Sequence, residues 1–196
     1  MGAFFYALAF VFALCGCAST PHSPAAPAST WPLATPASLG NSLEVTQILR
    51  GAFGAREVTL QCAVNATSTQ LHVVGLTSLG LRVFTIKYDG EHLEAEHASQ
   101  VPEFFKPEQL VNDLQLVFWP LSALRQTFAG TQWQVTEPHV GTRRLRRAEQ
   151  LIAEVHYADP DPWTGRAWIV HFDVPYTVGI ESRLAKPAPH ADEAGR

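Results

Sequence analysis

The feature that most constrains the fold is an alternation of large apolar residues with mostly polar or small ones in two nearby segments. Residues 57–66, EVTLQCAVNA, and residues 81–90, LRVFTIKYDG, both show it. The apolar members are Val58, Leu60, Cys62 and Val64 in the first segment, and Phe84, Ile86 and Tyr88 in the second. A period of two is typical of a half-buried strand. Asp89-Gly90 then predicts a type I′ hairpin turn, with EHLEAEHA as the partner strand.

The middle of the chain has a helical pattern. KPEQLVNDLQLVF (106–118) places apolar residues at helical spacing, with Pro107 at the first helical position. PLSALRQTF (120–128) predicts a second short helix. Strand-like segments resume after Gly130, ending with RAWIVHFDV after a hairpin loop at residues 159–165. This order predicts an α+β domain in which one curved antiparallel sheet wraps on two helices.

The first 17 residues read as an export signal. Residues 2–14, GAFFYALAFVFAL, are uncharged, and a run of this length is shorter than the roughly 20 residues of a membrane-spanning helix. Leu14-Cys15-Gly16-Cys17 resembles the bacterial lipobox, so we expect a signal peptide at 1–16 and lipidation of Cys17. The alternatives are a buried N-terminal helix, an uncleaved anchor or, less favoured, a redox C-x-C pair.

The segment after Cys17 is rich in Pro, Ala, Ser and Thr. Such a composition buries too little apolar surface to order itself, so we expect a tether at 17–40, a domain at 41–184 and a disordered tail at 185–196. Ala18, rather than Asp, follows the cysteine. In the sorting rule of proteobacterial lipoproteins, this favours the outer membrane, with the domain facing the periplasm.

Composition and motifs argue against several functions. The formal net charge of −4 gives no reason to expect nucleic acid as a partner. G-x-S-x-G, H-E-x-x-H, P-loop and C-x-x-C motifs are missing from the sequence, so we expect neither an enzyme nor a cofactor. His92, Glu94 and Glu96 share a predicted strand face, but no second cluster has metal-ligand spacing, and we expect no metal site.

Three motifs carry a resemblance to a known family. LTSLG (76–80), Asp89-Gly90 and PLSALRQTFAG (120–130) resemble the LolA/LolB superfamily of lipoprotein carriers and outer-membrane receptors, in element order from Leu43 to Leu184. The chain is also similar to a family of predicted lipoproteins with a domain of unknown function, often encoded beside aryl-polyene or fatty-acid-type synthesis genes. The resemblance implies a LolA/LolB-like incomplete antiparallel β-barrel lidded by short helices.

The resemblance also implies an apolar cavity and a protruding loop. The alternative for the cavity is that the same residues pack solidly against the helices. Leu79, before Gly80, corresponds to a leucine that protrudes and helps hand lipids to the membrane, although Ser78 stands where the family has proline. The alternative is a turn whose leucine folds inward. The candidate cavity residues are Val58, Leu60, Phe84, Ile86, Leu114, Phe118, Trp133, Trp168, Val170 and Phe172.

A basic run completes the candidate sites: Arg143, Arg144, Arg146 and Arg147. It could face phospholipid headgroups or an acidic partner such as a periplasmic LolA-like carrier. The alternative is a solvated edge strand whose charges discourage pairing.

Together these observations predict an outer-membrane lipoprotein that binds an acyl or other long apolar group. It would assist the transport or insertion of a lipid, lipoprotein or lipid-linked product. Its partners would be the membrane, through the lipidated Cys17, and the apolar ligand or lipoprotein itself. The alternative is a non-catalytic periplasmic scaffold that tethers an envelope biosynthetic complex. Exposure of Leu79 and of the sheet interior would distinguish the two.

Overall fold

The computed structural model describes residues 30–98 and 106–185. A short 3-10 helix, Pro36–Leu39, precedes the first strand, and two α-helices, α1 (Pro107–Phe118) and α2 (Leu121–Phe128), interrupt the strands. The strands are β1 (Leu43–Phe53), β2 (Arg56–Ala66), β3 (Leu71–Leu76), β4 (Arg82–Tyr88), β5 (Leu93–His97), β6 (Trp133–His139), β7 (Thr142–Arg147), β8 (Gln150–Tyr157), β9 (Arg166–His171) and β10 (Tyr176–Leu184).

All ten strands form one antiparallel sheet in the order β5-β4-β3-β2-β1-β10-β9-β8-β7-β6. Sequential strands are neighbours except β5 and β6, and the pairing of β1 with β10 joins the two halves of the chain. Among the described residues β5 and β6 stand at opposite margins, so the sheet is open. Because the strands alternate in direction, the β3–β4, β7–β8 and β9–β10 turns lie at one end of the sheet, called here the upper end.

The sheet bends around its helices. Ten strands spaced by about 4.8 Å would be on the order of 40 Å wide if flat, whereas a helix is about 10 Å across. Yet one continuous core contains α1 residues together with residues from both halves of the sheet, such as Ile86 on β4 and Val135 on β6. The sheet face that carries this core is the inner face. The expected open antiparallel sheet packed on two helices is thus seen in the strand order and in this core.

The predicted β4–β5 hairpin is confirmed, but its turn type is not. Tyr88 pairs with Leu93, so the loop is Asp89–His92 rather than a two-residue turn. Gly90 has φ 108°, whereas Asp89 is not in the left-handed region. The Asp89 carboxylate instead accepts hydrogen bonds from the backbone N–H groups of Glu91 and His92. These side-chain contacts fix a wider loop in place of the type I′ geometry.

Both predicted helices are present, and α1 is the more deeply packed. It begins at Pro107, and nine of its twelve residues are buried. The final strand differs from expectation, because β10 follows a further turn after His171 and pairs along β1. Its sequence YTVGIESRL lacks strict alternation, so the pairing with β1, more than the pattern, defines this strand.

Residues 31–39, called here the strap, are folded rather than a free tether. Trp31 and Leu39 are each 4% exposed. The Asn112 side chain accepts from Trp31 N and donates to Trp31 O. Gln115 makes the same pair of hydrogen bonds with Ala34, both 2.7 Å long. The domain therefore begins about ten residues before the expected boundary at 41, because polar side chains of α1 satisfy the backbone of the strap.

Candidate functional site

The β3–β4 loop projects two leucines from the upper end of the sheet. Leu79 is 85% exposed and Leu81 is 65% exposed. The Thr77 hydroxyl accepts hydrogen bonds from the backbone N–H groups of both leucines, and Gly80 N donates to Thr77 O. Gly80 has φ 78°, a conformation that glycine adopts without strain. The structure therefore places Leu79 outward on a hydrogen-bonded turn rather than folded inward.

Seven of the ten candidate cavity residues lie on the inner face or pack against the core, as expected. Phe84, Ile86, Leu114, Phe118 and Trp133 are buried, the first three at 2% exposure or less. Leu60 packs partly buried against the same core. Val58 has the same strand parity and is half-buried. These residues fill the inner face together with α1 and α2, so their contacts are those of a packed core.

The prediction for β9 is wrong by one residue of register. Trp168 is 41% exposed on the outer face, where its ring stacks on His156 at 5.2 Å between centroids. Val170 shares that face, and Phe172 is 52% exposed in the turn that follows. The inward residues are Ala167, Ile169 and His171, all at 3% exposure or less. Apolar side chains occupy both parities of RAWIVHF, so alternation could not select a face.

The four arginines do not form one basic patch. Because β7 alternates, Arg143 and Arg147 face inward, while Arg144 and Arg146 face outward. Arg144 pairs with Glu154 across the sheet, and Arg146 donates to the carbonyl of Glu149. The Arg147 guanidinium lies over the Trp133 ring, 5.7 Å from its centroid.

Arg143 is the most deeply placed of these residues, at 7% exposure. Its Nη1 donates to the carbonyls of Leu116 and Trp119 at 2.7 and 2.9 Å, and its Nε and Nη2 donate to Glu137. The guanidinium thus ties the end of α1 to the sheet. It also donates hydrogen bonds to carbonyls at the C-terminal end of the helix, which have no partner within the helix.

A buried polar cluster holds the middle of α1 against the sheet. Asp113 Oδ1 lies 2.9 Å from His171 Nε2 and accepts from Gln109, and its Oδ2 accepts from the Tyr176 hydroxyl at 3.1 Å. Burial acts to lower the pKa of His171, but the Asp113 carboxylate and Asp173 together raise that pKa to about 9. At neutral pH the cluster is therefore a buried ion pair. The Trp31 ring of the strap stacks on His171.

Neither this buried cluster nor the packing of the strap is predicted by the sequence patterns. Asp113 lies within an otherwise amphipathic helix, and a buried carboxylate requires a partner; that partner, His171, is 58 positions away. The one available signal was Trp31, a large aromatic residue inside a segment otherwise poor in apolar bulk.

Several expected features lie outside the described residues. Cys17 and the predicted signal peptide are not among the described residues, nor is the tail beyond Ala185. No helix in the described part of the chain is long and apolar enough to cross a membrane. Within residues 30–98 and 106–185, no group of three or more His, Cys, Asp or Glu side chains could hold a metal ion.

Residues 44–183 match the family described as Protein of unknown function (DUF3261). The chain belongs to this family. No curated protein matches the chain. Among solved structures, it is similar to the crystal structure of a LolA superfamily protein from Nitrosomonas europaea, at 10% sequence identity and a TM-score of 0.44. That match covers 76% of this chain and 88% of the other.

Proposed function

We propose that this DUF3261 protein is an outer-membrane lipoprotein that binds an acyl or other long apolar group. It would assist the transport or insertion of a lipid, lipoprotein or lipid-linked product. The observation that carries the proposal is the outward Leu79–Leu81 loop, 85% and 65% exposed at its two leucines. Exposed leucine side chains are unfavourable in water, and their transfer into a lipid surface is favourable.

The free energy of burying the two leucines suits a reversible contact with the membrane. Burying a leucine side chain stabilises by about 1.5–3 kcal/mol, so the two leucines together supply about 3–6 kcal/mol. That is too weak to anchor a protein by itself, since a Kd of 1 mM already corresponds to about −4.1 kcal/mol. The loop would enter and leave the bilayer while a separate lipid anchor keeps the domain nearby.

The strap gives this anchor a favourable geometry. Trp31 stacks on His171, which ends β9 at the upper end of the sheet. The chain therefore leaves the fold at the same end as the Leu79–Leu81 loop. Cys17 lies fourteen positions before Trp31, and an extended chain over that interval reaches at most about 45–50 Å. A lipidated Cys17 would thus hold the loop within reach of the membrane.

The experiment measures lipid transfer between vesicles. The full chain, lipid-anchored in phosphatidylethanolamine/phosphatidylglycerol vesicles, is expected to accelerate transfer of a fluorescent NBD-labelled phospholipid to acceptor vesicles. Leu79→Glu should reduce that acceleration by at least about tenfold, because it removes leucine burial and adds a charge that is costly in lipid. Leu184→Glu is the matched control, since Leu184 is 54% exposed at the opposite end of the sheet.

Two outcomes would contradict the proposal. An equal loss in both variants would refute a specific role for the loop. No acceleration by the unmodified chain would favour the second candidate, a non-catalytic periplasmic scaffold. That candidate is supported by the packed inner face, where Phe84 and Ile86 are at most 1% exposed.

A further inference from the structure

A pocket of about 720 Å³ lies at the lower end of the sheet, away from the Leu79–Leu81 loop. It is a half-open depression bordered by the end of α1, the β6–β7 turn and the β8–β9 loop. We call it the end pocket. Its volume falls within the range of about 300–1,000 Å³ that is usual for small-molecule sites. None of the functions considered above uses it.

The walls of the end pocket are aromatic and apolar. Phe118 of α1 and Trp163 of the β8–β9 loop stack with ring centroids 4.2 Å apart. Val140, fully exposed at the tip of the β6–β7 turn, and Pro160 add apolar surface. Stacked rings at this separation present a flat, rigid apolar wall. Burying methylene or ring groups against such a wall is favourable, whereas burying a hydrated ion there is not.

One polar group of the pocket has spare hydrogen-bonding capacity. A guanidinium has five N–H donors. Arg143 uses Nε and one Nη2 proton on Glu137, and its two Nη1 protons on the carbonyls of Leu116 and Trp119. This leaves one Nη2 proton without an acceptor among the described residues. Arg143 lines the pocket and is only 7% exposed. Water therefore hydrates this donor poorly, and a ligand in the pocket could accept its hydrogen bond.

The charges of the pocket exclude an anionic ligand. Arg143 is neutralised by Glu137 at 2.8 Å. Asp159, the other carboxylate of the lining, is 3.8 Å from Arg166, which is exposed. Burial raises the pKa of Tyr157 to about 12, so its hydroxyl stays protonated and donates to Val117 O. A carboxylate or phosphate would find no unpaired cation here and would face two carboxylates.

We propose that the end pocket binds an uncharged apolar molecule that carries a carbonyl oxygen, such as an acyl chain in an ester. The chain lies against the Phe118–Trp163 wall, and the carbonyl accepts the free Nη2 proton of Arg143. The site is distinct from the loop at the upper end. Because its ligand is of the apolar, acyl class named above, the inference rests on the proposed function and says where such a ligand binds.

The test uses photo-cross-linking on the full chain in phosphatidylcholine vesicles. The probes are a diazirine-bearing methyl laurate and the corresponding free acid, with adducts located by peptide mass spectrometry. The ester is expected to label peptides that contain Phe118 or Trp163. Ala158→Phe fills the pocket from its rim. If the new ring displaces two methylenes of the ligand, labelling should fall about fifteen-fold.

The matched control is Ala95→Phe, which places the same ring on the exposed edge strand β5 and should leave labelling unchanged. Equal labelling by the free acid would overturn the assignment of an uncharged ligand. Labelling elsewhere, or labelling that survives Ala158→Phe, would overturn the site. Neither result depends on lipid transfer, so failure here and failure of the proposed function are separate outcomes.

Discussion

Raising the pH should destabilise this protein through one buried pair. The His171 side chain is fully buried, and its Nε2 lies 2.9 Å from Asp113 Oδ1. Its pKa is raised from 6.5 to about 9 in the folded protein. A group whose folded pKa is raised contributes stability that is fully present below the unfolded pKa. That contribution is lost as the pH rises through the folded pKa.

The size of this stability contribution follows from the folded and unfolded pKa values of His171. The difference between about 9 and 6.5, at about 1.36 kcal/mol per pH unit, corresponds to a contribution of about 3 kcal/mol. We therefore expect the free energy of unfolding to fall by about 3 kcal/mol between pH 6.5 and 9.5. For a domain of this size, that is a substantial part of the usual 5–15 kcal/mol.

The assay is urea denaturation followed by far-UV circular dichroism at half-unit pH intervals. The Asp113→Asn variant should lose most of this pH dependence, because the amide cannot stabilise the imidazolium and only the Asp173 carboxylate still raises the pKa of His171. Tyr176→Phe removes a hydrogen bond to Asp113 but keeps the carboxylate, so it should retain the slope. A direct NMR titration of His171 in the unmodified chain covers the case in which Asp113→Asn does not fold. A midpoint near 6.5, or a flat stability profile from pH 6.5 to 9.5, would refute the reasoning.

Three further changes test the packing. Trp31→Ala should destabilise by about 3–5 kcal/mol in the same urea assay, because it empties the strap's contacts with His171 and Trp133; no loss would show that the strap does not support the core. Gly75→Ala should cost about 1–3 kcal/mol, read as a lower thermal midpoint, since its new Cβ would overlap the buried Phe84 ring; an unchanged midpoint would mean that the ring has room to move. Cys62 should not react with a thiol reagent at pH 8 unless urea is added, because it is 1% exposed and burial raises its pKa to about 12; rapid labelling of the native protein would contradict that burial.

Local pattern was sufficient for much of the fold. Alternation correctly predicted the buried faces of β2 and β4, at Cys62, Val64, Phe84 and Ile86, because one parity there is apolar and the other is mostly polar or only partly buried. Pro107 and the spacing of Leu114 and Phe118 correctly predicted α1. These signals are short-range, since they depend only on which face of a single element meets water.

The same reasoning failed where two faces were chemically alike. In β9, Trp168 and Ile169 are both apolar, and only the neighbouring strands decide that Ile169 points inward. In β7, four arginines within five positions suggested one patch, but alternation sends them to both faces of the sheet. Strand pairing resolves such cases, and pairing partners are distant in sequence.

For the candidate site, the sequence singled out Leu79 but not its environment. The motif LTSLG indicated a turn, and only the structure shows Thr77 holding the loop so that Leu79 and Leu81 both face solvent. The end pocket was invisible in the sequence, because Phe118, Arg143 and Trp163 come from three separate elements.

The sequence by itself determined most element types, the helical interruption of the sheet and the turn at Leu79, because each depends on neighbours a few residues apart. The tertiary structure alone decided that residues 31–39 belong to the domain, that Asp113 meets His171, and that Arg143 is buried against α1. These contacts join residues 24 to 81 positions apart. Their free energy comes from satisfying buried polar groups, which no local pattern specifies.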